Sequence, residues 1–203
     1  MILYANGDSH TAPLWSYAGI VGEKLGLSVV NQAIGGSSNA SILRRTRDYL
    51  EVSKPDFIII GWSTWEREEW QHNDQFFNVN SSGHDVLPIE LQDRYKHWVA
   101  EQTSDMLSIK SQQWHEDIYN FHLELEQKNI KHLFFNCMYD FVRKSNSYNW
   151  NNRYIDPYNK DKSYYWYLKN NGFKSDEWYH YKEDGHVEWA QLLINHIKEN
   201  KLL

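Results

Sequence analysis

The run Phe57-Ile58-Ile59-Ile60, entered from Pro55-Asp56 and left through Gly61, narrows the possible folds of this chain more than any other segment. Four successive apolar residues show no alternation, so the strand they predict must be covered on both faces. A central strand with helices above and below meets that demand. The chain before it repeats the same unit. Ile2-Leu3-Tyr4-Ala5 predicts a strand stopped by the turn residues Asn6-Gly7-Asp8-Ser9. Leu14, Tyr17, Val21 and Leu25 then recur at helical spacing, closed by Gly26. A second strand is predicted over Leu27-Ser28-Val29-Val30-Asn31, ending at Ala33-Ile34-Gly35-Gly36. Ser38 or Asn39 is placed to cap a helix carrying Ile42, Leu43, Thr46 and Leu50. This βαβαβ order predicts an α/β fold with a parallel sheet.

Trp114, Ile118, Phe121 and Leu125 mark a long helix, and Ile130 to Asn136 a fourth strand. A final helix follows His186, with Ala190, Leu193, Ile194 and Ile197 as its apolar face. No repeat or linker interrupts the 203 residues, which predicts a single domain over 1–203. Two polar, aromatic stretches, 62–88 and 139–182, break the rhythm after strands. They are expected to be rim loops at the carboxyl edge of the sheet, where open α/β folds bind ligands. Ten Trp and 14 Tyr exceed what a core of this size needs, so part of that set is expected to face a ligand or partner.

Several function classes are disfavoured. Twenty-one Lys and Arg against 27 Asp and Glu give a net charge of −6 with no basic block, so nucleic acid is not an expected partner. No apolar run approaches a bilayer span. The N-terminal segment lacks a basic, apolar leader, which predicts a cytoplasmic protein, or one released on lysis or carried on a virus particle. One cysteine, Cys137, excludes an internal disulfide and reads as a buried thiol. The histidines, His72, His84, His97, His115, His122 and His132 among them, form no recognised metal-ligand spacing, and no phosphate-binding glycine loop is present. No metal or cofactor is therefore expected.

Gly7-Asp8-Ser9-His10 ends the first strand, where a serine sits at the carboxyl edge. Serine needs a base, normally a histidine oriented by a carboxylate. Glu183-Asp184-Gly185-His186 supplies an acid three residues before a histidine and another two before it. Asn31 to Gly36 and Gly61-Trp62-Ser63 follow strands two and three. In a parallel sheet all four segments converge on one rim, the constellation for acyl transfer. Arg67, beside Trp62 and Trp65, either clamps an anionic substrate group or pairs with Glu66, Glu68 or Glu69. Asn136 and Asp140, after strand four, are further rim candidates.

These blocks resemble the SGNH hydrolases of the GDSL esterase superfamily over nearly the whole chain, and the compact sequence is similar to members found in bacteriophage genomes. The resemblance implies a flavodoxin-like three-layer α/β/α sandwich with a five-stranded parallel sheet. It implies Ser9 as nucleophile and oxyanion donor, with the Gly36 N–H as a second donor. Ser63 stands where the family has an asparagine donor. His186 matches the catalytic base, and Glu183 or Asp184 the orienting acid. Asp8, Trp62, Trp65 and Arg67 are candidate substrate contacts. The expected function is hydrolysis of an ester, plausibly an O-acyl or O-acetyl group on a carbohydrate. The alternative is a binding module that keeps the fold and recognises glycan or protein through its aromatic loops.

Overall fold

A computed structural model describes residues 1–203 apart from Ser82, Asp85 and the side chain of His84. In chain order, Ile2–Asn6 is β1, Tyr17–Leu25 is α1, Ser28–Asn31 is β2, Asn39–Val52 is α2 and Phe57–Trp62 is β3. Glu68–His72, Gln75–Asn80 and Gly83–His84 are β4 to β6, followed by Ile89–Ala100 (α3) and Ser104–Gln127 (α4). His132–Asn136 is β7, Tyr164–Asn170 is α5 and Glu183–Glu199 is α6.

The main sheet has the order β2-β1-β3-β7, and every pair in it is parallel. All six residues of β3 are buried, which agrees with its unbroken apolar run. Because neighbouring strand residues face opposite ways, the sheet divides its side chains between two cores. Leu3, Ala5, Phe57, Ile59, Leu133 and Phe135 pack with Tyr17, Val21, Trp189 and Leu193 of α1 and α6. Tyr4, Ile58, Ile60 and Phe134 pack with Ile42 of α2 and with Ile118, Phe121 and Leu125 of α4. Truncating one of these large aliphatic residues to Ala would cost about 2–5 kcal/mol. The result is the three-layer α/β/α sandwich.

The sheet has four strands, one fewer than the resemblance implies. In the place of a fifth, Tyr154 makes an isolated parallel bridge to Phe134. Phe134 N–H donates to the Arg153 carbonyl, and Ile155 N–H donates to the Phe134 carbonyl. Asn151, Asn152 and Asp156 all have positive φ, at 50°, 59° and 21°, so the chain turns away on both sides of the bridge.

Region 62–88, expected as a rim loop, instead contains the antiparallel sheet β4-β5-β6. Its first hairpin turns on Asn73 and Asp74, both with φ positive (46° and 59°), the backbone that a two-residue hairpin requires. With α3 it forms a separate small core of Trp70, Val79, Leu87, Leu91 and Trp98. Glu68 accepts from both indoles, Trp70 and Trp98, and from Lys110 of α4, each at 2.8 Å. That carboxylate ties the insertion to the main body. The second stretch, 139–182, is mostly irregular and contains α5.

Candidate active site

The carboxyl ends of β1, β3 and β7 and the segments after them meet at one edge of the sheet. After β1 the chain turns at once: Thr11 N–H and Ala12 N–H both donate to the Asp8 carbonyl at 3.0 Å. Gly7 permits this turn, because a Cβ there would lie 2.3 Å from Thr11 Oγ1 and 3.0 Å from the Gly61 carbonyl. Asn31 braces it from the end of β2, its side-chain amide donating to the Thr11 carbonyl at 2.8 Å. Ser9 is thereby held at the edge of a cavity of about 620 Å³ that also exposes His10, Gly35, Asp176, His180 and His186. Among the described residues, neither the Ser9 hydroxyl nor the Ser9 and Gly36 amides make a hydrogen bond. Gly35 lies close beside the serine, since a Cβ on it would be 3.8 Å from Ser9 Cβ, and Gly36 takes a left-handed φ of 77°.

Asp8, a candidate substrate contact, is buried beneath the cavity. It is 1 % exposed, and its carboxylate accepts from the His10 N–H (3.0 Å), the Ser63 hydroxyl (2.9 Å) and Arg67 Nη1 (3.2 Å). Burial alone would raise its pKa, but the charges of His10 and Arg67 and these hydrogen bonds more than offset it and hold the carboxyl below its ordinary value. Arg67 pairs neither with Glu66, Glu68 nor Glu69; it reaches Asp8 and the Ser37 carbonyl. Ser63 gives its hydroxyl to Asp8 and its N–H to Asn39 Oδ1 at 2.7 Å, so both its donors are already committed. Trp62 is fully buried between Phe121 and Phe134, inside the sheet core. Trp65 stacks on Phe141 and donates to the Asp140 carbonyl at 3.2 Å. Its edge lines a smaller cavity of about 330 Å³ with Tyr139 and Leu107. Asn136 is buried, donating to the Pro157 carbonyl and accepting from Tyr154.

The structure brings His186 to the Ser9 cavity but not its expected acids. Glu183 and Asp184 are exposed, and Asp184 Oδ1 accepts the Gly185 N–H within the first turn of α6. His186 is 2 % exposed. Its Nδ1 accepts the Tyr17 N–H at 3.3 Å, which puts the proton on Nε2, 3.3 Å from the Tyr164 hydroxyl. Burial, with His10 and His180 nearby, lowers its pKa to about 4.

A second acid–histidine pair, which the motif reading passed over, lies on the same cavity. Asp176 Oδ2 is 3.5 Å from His180 Nδ1. Its Oδ1 accepts the N–H of Trp178 (2.9 Å) and of His180 (2.8 Å), while Asp176 N–H donates to the His180 carbonyl. The backbone N–H bonds hold the Asp176 carboxyl below its ordinary value. This closed turn places Tyr179 at φ 69°, a left-handed conformation uncommon for a tyrosine. The His180 ring approaches His10 edge-on with centroids 5.5 Å apart. His10 is 5 % exposed, and burial lowers its pKa despite the attraction of Asp8.

No protein-family model matches the sequence, and no curated protein matches it. Solved structures do match in fold. A catalytic mutant of the acetylxylan esterase Axe2 from Geobacillus stearothermophilus superposes with a TM-score of 0.54 at 13% identity, covering 97% of this chain and 93% of that one. The psychrotrophic esterase EstA from Pseudoalteromonas sp. gives 0.53 at 9% identity, covering 98% and 97%. A GDSL-like lipase from Bacteroides thetaiotaomicron gives 0.53 at 11% identity, covering 98% and 88%. Parallel sheet, two-sided helix cover and whole-length superposition lead to one conclusion: the chain has the fold of the SGNH, or GDSL-type, esterases.

Proposed function

We propose that the protein is a serine hydrolase that cleaves an ester, with Ser9 as nucleophile. One observation carries this reading. An unengaged serine hydroxyl and the serine's own unengaged N–H share a cavity with an acid–histidine pair, and the unengaged Gly36 N–H directly follows Gly35, which lines the same cavity. Ser9 Oγ attacks the acyl carbon, and its proton passes to Nε2 of His180, whose Nδ1–H is directed by Asp176. The Ser9 and Gly36 N–H groups receive the developing oxyanion. The alcohol leaves with the proton from His180, and water cleaves the acyl-enzyme by the same steps reversed.

His180 is favoured over His186 by lone pairs. The acceptor nitrogen of His186 already receives the Tyr17 N–H, and no carboxylate faces its other nitrogen. His180 has an acid on one nitrogen and the cavity on the other side. A separation of 3.5 Å is within what resting active sites show before substrate tightens them. Ser63 belongs to the support beneath the site. With its donors committed, the oxyanion has two backbone donors, and a missing third is worth roughly 2.7–4 kcal/mol.

The alcohol side fits a carbohydrate. Trp15 is half exposed at the cavity and meets His186 edge-on at 5.0 Å, while Trp178 and Tyr179 stand exposed on the turn that carries His180. Such rings offer flat apolar faces to a sugar, and one fold neighbour is named an acetylxylan esterase. The test is labelling with a fluorophosphonate probe, with the adduct located by mass spectrometry. An adduct on Ser9, absent in Ser9→Ala, is expected. Folded protein that forms no adduct would instead indicate a glycan- or protein-binding module on the same scaffold.

A further inference from the structure

Among the described residues, His122, Glu126 and His132 each offer a ligand atom within 4.8 Å of the other two. They lie at the opposite edge of the sheet from Ser9. His132 opens β7, while His122 and Glu126 sit one turn apart on α4. Both imidazoles are fully buried.

The hydrogen bonds constrain the protons. His132 Nδ1 lies 2.9 Å from the Ile130 carbonyl, a bond it makes only as donor, so the lone pair of neutral His132 is on Nε2. That Nε2 is 2.8 Å from His122 Nδ1. A neutral His122 must put its one proton on Nδ1 to serve this contact. Its Nε2 is then a buried lone pair, and that nitrogen has no hydrogen-bond partner. The nearby backbone of Asn149 gives no remedy, because the Asn149 N–H already donates to the Tyr119 hydroxyl at 3.2 Å, leaving only a carbonyl.

A cation between the two inner nitrogens removes the mismatch. Both become ligands, and the His122 proton moves to Nε2, where it faces an acceptor. Each ligand histidine then has a carbonyl behind it, the arrangement that orients metal-bound imidazoles. Glu126 is held for the third position: Arg153 Nε is 2.6 Å from Oε1, and the Asn151 amide donates to Oε2 at 3.3 Å. Two imidazoles and a carboxylate suit zinc, with water as the fourth ligand. Zinc–nitrogen bonds of about 2.0–2.1 Å need the nitrogens about 3.3 Å apart, so the rings must part by about half an ångström.

We propose that His122, Glu126 and His132 bind zinc, pinning the end of α4 to the start of β7. Chelator-stripped protein should bind about one equivalent of Zn²⁺ by calorimetry. It should give the visible absorption of tetrahedral cobalt with Co²⁺, and melt at higher temperature with either metal. His122→Gln and Glu126→Gln should each weaken binding at least roughly tenfold. His180→Ala should leave it unchanged, which separates this site from the histidines of the Ser9 cavity. Absence of binding, or equal binding by wild type and Glu126→Gln, overturns the proposal. The half-exposed Glu126 keeps the test decisive if His122→Gln does not fold.

Discussion

The turn 176–180 and the first turn of α6 lie a few residues apart, and each sets acids before a histidine. In the turn, the acid closes a loop on its own histidine, through backbone and side chain together. In the helix, the acids point to solvent while the histidine is drawn into the core by a backbone N–H from α1. The better-looking motif therefore yields a buried, neutral imidazole, and the plainer one yields an oriented pair beside the serine. On the proposed mechanism, what makes the general base is a lone pair left open to the substrate, not an acid at the right spacing.

The largest test of this contrast is His180→Ala. It should lower kcat by roughly 10²–10⁴-fold on an activated acetyl ester, while the folded protein keeps its Tm. A near-normal rate in that variant would return the base to His186. Asp176→Asn should lower kcat by less, roughly ten- to a hundredfold, since an exposed carboxylate is partly screened by solvent, unlike the buried acids worth about 10⁴-fold. Glu183→Gln and Asp184→Asn should change kcat by less than about twofold; a larger loss from either would show that the helix acids take part.

The smallest effect is on stability. His186 and His115 are both lowered to about 4 by burial. Between that value and the ordinary histidine range, the unfolded chain binds protons that the fold refuses. Their contribution to stability therefore falls as pH drops from about 6.5 toward 4 and levels off once both states are protonated. The urea midpoint should be lower at pH 4.5 than at pH 7. An unchanged midpoint would mean these rings are not held neutral.

The parallel sheet was legible because its strands are short apolar runs ended by Gly or Asn, and β3 carried the decisive absence of alternation. The antiparallel insertion was not, although Asn73-Asp74 is a hairpin turn signal. Glu68-Glu69-Trp70-Gln71-His72 shows no apolar face, because Trp70 is its one buried residue and the apolar partners of that indole, Val79, Leu87, Leu91 and Trp98, all come from later in the chain. Gly36 was singled out only through the family resemblance, whereas the turn after β1 that carries Ser9 was readable from its residues. Arg67 was not, since its partner Asp8 is remote in sequence and meets it only through the crossover from β1 to β3. Trp62 shows the limit of composition: an indole after a strand end can belong to the strand. Trp15, Trp178 and Tyr179 line or rim the cavity without any spacing to mark them.

The single bridge at Tyr154 bears on how this protein behaves at high concentration. A bare parallel edge on β7 would offer a ladder of donors and acceptors to any other chain, a template on which strands could add without end. Arg153 and Ile155 occupy Phe134 on that edge, and the left-handed residues on either side with Pro157 keep the covering segment from becoming a new edge itself. The sheet is thus terminated without being extended, and at Phe134 a few residues of irregular chain take up the donor and acceptor that another strand would need.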